Sequence, residues 1–306
     1  MDANVFLPAV TAVLAIVFFV LLADQWRQRR RAYQAVWALG ILFFGVAVAC
    51  EAIAAAAGWN EPMYLLWYLT GAVWTAGWLG LGNAFLLGRT RFGFAFALCL
   101  FFAGLFTFLT ARAEPEIYES ASTTAMLFFL VALVLALAVS VETYFQNWRW
   151  PWMAFVGVAG ATVLSVVLVA LADIPEPGYA LDPETGVPTA ELLPPELRLL
   201  TPFMNVTGAF ALILGAVFSA YVFMPKRRVL AYNIDPNQPG DQFLFNLLIA
   251  PVAIVVNFVA SLPGALKALF TGRINSRVPA TLLIAICAFI PAVTDSLNRF
   301  GSTEWF

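Results

Sequence analysis

The amino-acid sequence predicts an all-α integral membrane protein: a polytopic helical bundle of seven transmembrane helices, followed by two further membrane segments. Three observations predict it. Of 306 residues, 62% are hydrophobic and 11% charged, where a soluble protein carries about 25% charged residues. The charges fall between nine charge-free stretches: 3–23, 32–50, 62–88, 92–111, 120–141, 150–172, 199–225, 242–266 and 278–294. Finally, the loops between the first seven stretches alternate between basic and acidic.

All but the last stretch are long enough to cross roughly 30 Å of hydrocarbon, which takes about 20 helical residues. Stretch 3–23 follows Asp2, an acid where a signal peptide carries positive charge. No small-residue cleavage site follows closely, so it reads as a retained first helix. With the N-terminus outside, one set of loops holds Arg27, Arg29, Arg30, Arg31, Arg89, Arg91, Arg149, Lys226, Arg227 and Arg228. The other set holds only Arg112 and Arg198, with most of the acids, from Glu61 through Glu196. Cytoplasmic loops collect Lys and Arg. The expectation is therefore a multi-pass protein of a plasma (inner) membrane with its N-terminus extracytoplasmic.

Three regions follow from this reading: a seven-helix bundle over 1–228, a cytoplasmic linker over 229–241 and a hydrophobic hairpin over 242–306. The hairpin admits three arrangements. Segments 242–266 and 278–294 can both span, although their connection then puts Lys267, Arg273 and Arg277 outside, against the charge rule. They can form a re-entrant or in-plane hairpin on the cytoplasmic side, or need a partner subunit to cover them. Spanning is preferred because 25 uncharged residues are costly to leave in water.

Composition removes several function classes. There is no histidine, and Cys50, Cys99 and Cys287 each stand alone in an apolar stretch. Haem, copper, zinc and iron–sulfur sites therefore lack their usual ligand sets, and no cofactor is expected. Dinucleotide-binding, Walker and nucleophile-elbow motifs are absent. A net charge of −2 gives no basis for a nucleic-acid partner.

Helices 1–3 and 5–7 run in the same sense if helix 4 is a linker. Thr70-Gly71-Ala72 precedes Arg89, and Thr207-Gly208-Ala209 precedes Lys226, each by nineteen residues from the threonine. This possible 3+1+3 parallel repeat resembles the layout of sugar-exporting SWEET proteins, and rhodopsin-like bundles share its out-to-in sense. The chain has no Pro-Gln dipeptide in a helix and no lysine in helix 7 for a retinal Schiff base.

Glu51 is the one ionisable residue interrupting an otherwise apolar helix. It precedes Trp59 by eight residues, about 12 Å below the outer end of helix 2. Intramembrane charges usually face a bundle interior or a water-filled cavity. Glu51 either binds a proton, cation or polar ligand group, or sits protonated and hydrogen-bonded in a helix interface. In helix 3, Trp67, Gly71, Trp74 and Trp78 fall within about 60° of arc, beside a face of Thr70, Gly77, Gly80 and Ala84. The indoles fill a core or line a ligand site, and Tyr64 and Tyr68 offer polar contacts near the outer end. Asn83, Asn205, Asn246 and Asn257 join helices or line a path. The 173–198 loop reads as a solvated, semi-rigid lid, whose run Asp182–Gly186 has oxygens for Ca²⁺ without the EF-hand pattern. The Arg27–Arg31 cluster sets topology and contacts anionic lipid.

These residues support a non-enzymatic protein that binds or transports a hydrophobic or amphipathic small molecule. Its ligand set is Glu51, Trp67, Trp74, Trp78, Tyr64 and Tyr68. The alternative is an accessory or scaffold subunit of a larger membrane complex. An intramembrane lipid-acting enzyme has little acid–base machinery here. The expected partners are the lipid bilayer, a small-molecule ligand and membrane-protein subunits.

Overall fold

The structure, a computed structural model, describes residues 3–182, 188–232, 240–273, 278–279 and 281–286. Seven helices among these residues are long and apolar enough to cross a membrane. They belong to α1 (Ala3–Arg29), α2 (Ala32–Ala57), α5 (Phe92–Ala113), α7 (Ser122–Tyr144), α8 (Trp150–Leu171), α9 (Pro195–Phe223) and α10 (Gly240–Phe270). A further run over 61–86 is the predicted third helix. It consists of α3 (Glu61–Trp67), a π-helical segment (Tyr68–Trp74) and α4 (Thr75–Leu86), joined without a break. A single turn, α6 (Pro115–Tyr118), and a two-stranded hairpin complete the elements. In the hairpin, β1 (Ala180–Leu181) pairs antiparallel with β2 (Pro188–Thr189). The chain is a multi-pass helical membrane protein.

Helix ends outrun the charge-free stretches because a terminal charge is tolerated where it reaches the interface. α1 continues through Asp24 and Arg27 and stops at Arg30, which takes the left-handed conformation usually given to Gly at this position (φ 50°). There the Arg30 guanidinium lies 5.0 Å from the centre of the Trp26 ring. α3 begins at Asn60, whose Oδ1 accepts the Met63 N–H at 3.0 Å, with Pro62 at the start where its missing N–H costs nothing.

The chain divides into two compact units, Met1–Leu212 and Ile213–Phe306. In the first, α1 packs against α2, α5 against α7, and α2 along α4. Small residues set these contacts, as they must where lipid removes the hydrophobic drive between helices. α4 meets α9 where Gly80 faces the Gly208 backbone and Gly208 faces Ala76, so that a Cβ on either glycine would collide with main chain. Gly71 faces the Ala47 methyl and Gly77 the Met204 side chain. Asn83, 4% exposed, donates from Nδ2 to the Leu212 carbonyl (3.0 Å) and to the Ala211 carbonyl (3.3 Å).

In the second unit the chain leaves helical geometry after Phe223. Asn257 and Ser261 of α10, each 1% exposed, hold the irregular segment that follows. Asn257 Oδ1 accepts from Val229 N (2.7 Å) and Leu230 N (2.9 Å), while its Nδ2 donates to Leu230 O (2.8 Å). Ser261 Oγ accepts from Arg227 N at 2.9 Å and donates to Asn257 O at 2.6 Å. Ala220, Tyr221, Met224, Ala265 and Val278 form the core here. Segment 242–266, expected as a membrane segment, lies within one uninterrupted helix despite Pro251 and Pro263. Residues 281–286 are helical. Most of segment 278–294, with Cys287, lies outside the described residues.

Candidate functional site

Glu51 sits on α2 near the end of the bundle bounded by acidic loops, and is partly exposed. Its Oε1 accepts a hydrogen bond from Trp67 Nε1 at 2.8 Å. Trp67 is the last residue of α3, so this bond lies where the third helix widens into its π segment. In that segment the Thr75 N–H reaches back five residues to Thr70 O, and Thr75 Oγ1 donates to the same carbonyl at 2.7 Å. Thr70 Oγ1 in turn donates to Leu66 O at 2.6 Å. The two threonine hydroxyls thus supply backbone acceptors with donors where the α-helical pattern is interrupted. π-helical turns are rare and often mark functional sites.

Of the aromatic residues expected around Glu51, Tyr64, Trp67 and Tyr68 cluster at this end, together with Trp59 and Tyr179. Trp59 and Trp67 have ring centres 5.5 Å apart, and Tyr64 packs on Trp59, Trp67, Tyr68 and Tyr179 at 5.7–6.4 Å. Tyr64, fully buried, donates its hydroxyl to Thr189 O at 2.7 Å. Tyr179 donates to Trp59 O at 2.9 Å, and Tyr68 shares a 2.7 Å hydroxyl contact with Thr201 of α9. The 173–198 loop, expected as a solvated lid, is tied down through these bonds and through Gly178, which is left-handed (φ 86°) and packs on the Glu61 side chain. Sequence reasoning missed Tyr179 and Thr189 because their bonds connect residues more than a hundred positions apart. Of the turn-like run Asp182–Gly186, weighed above as oxygens for Ca²⁺, all but Asp182 lies outside the described residues.

Trp74 and Trp78 lie deeper and turn to α8. Trp74 Nε1 donates to Ser165 Oγ (2.8 Å), and Trp78 Nε1 to Thr162 Oγ1 (3.0 Å). Both hydroxyls pass their own hydrogens to helix carbonyls, Ser165 to Thr162 O and Thr162 to Val158 O. Phe43 packs edge-on against both indoles, at 5.0 and 5.9 Å. The row of indoles therefore divides: Trp67 serves α2, while Trp74 and Trp78 bridge α2 and α8. A signal was available in Thr162 and Ser165, which stand three residues apart and so share one face of α8.

Two cavities lie elsewhere. One, of ≈ 300 Å³, opens between α1 and α2 and is lined by apolar residues apart from Thr11. The other, of ≈ 560 Å³, lies at the basic end between the starts of α2 and α8 and the end of α4. Comparison with protein-family models, curated proteins and solved structures finds no match for this chain.

Proposed function

We propose that the protein binds or transports an amphipathic small molecule that carries a cationic or hydrogen-bond-donating group. Glu51 is its polar anchor, and Trp59, Tyr64, Trp67 and Tyr68 form the apolar wall. The observation that carries this reading is the Glu51–Trp67 hydrogen bond at the mouth of the π segment. It leaves Glu51 partly exposed, beside aromatic faces that attract cations. The chemistry is binding rather than catalysis, with the site toward the extracytoplasmic side given by the charge of the loops.

The test uses tetraphenylphosphonium as an amphipathic cation, followed by tryptophan fluorescence of the full chain in nanodiscs. Glu51→Gln keeps an oxygen able to accept the Trp67 N–H, so the fold is expected to persist while affinity falls at least about tenfold, the loss of one charge-assisted contact. Unchanged affinity in a folded Glu51→Gln protein sinks the reading. A second reading, an accessory or scaffold subunit, draws on the partnering of the Trp67, Trp74 and Trp78 indoles, which suits a rigid internal frame. Stable co-purification with other polypeptides from native membranes would favour it.

A further inference from the structure

The ≈ 560 Å³ cavity at the basic end is lined by two arginines, Arg31 and Arg89, together with aromatic side chains of Tyr33, Trp148 and Trp152. Among the described residues no carboxylate forms an ion pair with either guanidinium. Both side chains are exposed, so their free guanidinium forks are open to a ligand, and that fork matches the oxygens of a phosphate.

The cavity is firmly built. Trp150, fully buried, donates its indole N–H to Gly88 O at 3.1 Å and is held by the rings of Phe92 and Phe96. A Cβ on Gly88 would come within 2.8 Å of Pro151 Cγ, so the start of α8 is seated tightly on the turn that carries Arg89. The loops that present Arg31 and Trp148 are shaped by left-handed non-glycine residues, Arg30 (φ 50°) and Trp148 itself (φ 55°). For a bulky side chain that backbone is strained, and such strain persists where the surroundings over-determine it. The cavity opens beside exposed apolar side chains, Leu86 and Trp152.

We propose that this cavity binds the phosphate headgroup of an anionic phospholipid, with Arg31 and Arg89 as its cationic pair and Tyr33, Trp148 and Trp152 against the glycerol and upper acyl carbons. Basic clefts between helices at the cytoplasmic face take anionic lipid in this way, and aromatic rings sit at headgroup level. The site lies at the opposite end from Glu51 and does not depend on the ligand proposed there.

The full chain is reconstituted in phosphatidylcholine nanodiscs doped with phosphatidylglycerol, and retained lipid is read by native mass spectrometry. Wild type is expected to retain phosphatidylglycerol selectively. Arg31→Gln/Arg89→Gln is expected to lose about tenfold of that retention, a few-fold for each basic residue near the headgroups. Arg227→Gln/Arg228→Gln, the same charge change at exposed residues that do not line the cavity, is expected to keep it. Equal retention in both double variants, or no preference of wild type for the anionic lipid, overturns the proposal. The wild type alone supplies a further arm should the first double variant fail to fold: displacement of phosphatidylglycerol by millimolar inorganic phosphate assigns the cavity to a soluble phosphate and overturns the lipid.

Discussion

Asn83 and Asn257 show how the same residue type does different work at two places. Asn83 adds bonds to carbonyls of α9 that already belong to a helix. Asn257 instead accepts from two N–H groups and donates to one carbonyl of an irregular segment, acting as a substitute for missing secondary structure. Interhelical side-chain bonds in membranes average about 0.6 kcal/mol, whereas leaving buried backbone groups unpaired costs about 1–3 kcal/mol. Asn257→Leu is therefore expected to lower thermal stability more than Asn83→Leu, measured side by side by thermal unfolding in one detergent. The reverse order would show that water takes over the Val229 and Leu230 amides. The sequence made both asparagines visible as polar residues in apolar surroundings. It did not show that the partner of Asn257 would be the irregular segment 229–230 rather than another helix. Glu51 was equally legible as a lone carboxylate, and its indole partner lay within the predicted aromatic set.

At the scale of elements, a helix crossing is decided by what stands at its closest point. Gly208 faces the backbone of Ala76, while Gly160 on α8 has no atom within 4 Å of a would-be Cβ. Gly208→Ala is expected to destabilise the protein by about 1–3 kcal/mol through overpacking. Gly160→Ala is expected to be neutral or stabilising by up to about 1 kcal/mol, since alanine is the better helix former. Equal shifts in unfolding midpoint for the two would refute the close crossing of α4 and α9. The glycines of both Thr-Gly-Ala strings stand at close approaches, Gly71 to α2 and Gly208 to α4. The π segment escaped sequence reasoning. A 100° wheel treats every turn as equal, so it aligned Trp67 with Trp74 and Trp78, although the widened turns send them to different helices.

At the scale of the whole molecule, the arrangement of the C-terminal hairpin can be argued from α10. The middle of α10, at Asn257 and Ser261, is bonded to residues 227–230, just beyond the end of α9 and beside Lys226, Arg227 and Arg228. A helix crossing the bilayer has its middle near the midplane, not level with the end of its neighbour. The hairpin is thus expected to stay on the basic side, which also brings Lys267 and Arg273 into accord with the charge rule. Single cysteines at Arg228→Cys, Thr271→Cys and Ser120→Cys, in a chain whose native cysteines are replaced by alanine, report sidedness through a membrane-impermeant maleimide. Thr271→Cys should label together with Arg228→Cys. Labelling together with Ser120→Cys would mean that α10 spans.

Composition and charge spacing were enough to show a helical membrane protein, six of its seven long apolar helices among the seven first expected and the last among the two further segments, and the residues worth testing. Those properties follow from a local requirement: a backbone in hydrocarbon must satisfy its own hydrogen bonds, so length and apolarity alone mark each helix. Tertiary structure decided the partners. It joined Glu51 to Trp67, turned Trp74 and Trp78 toward hydroxyls on α8, tied the acidic loop down through Tyr64 and Tyr179, and gathered Arg31, Arg89 and Trp148 around one cavity. Each of these pairings except the first depends on contacts between residues far apart in the chain, or on a local widening of a helix, and neither leaves a periodic trace in the sequence.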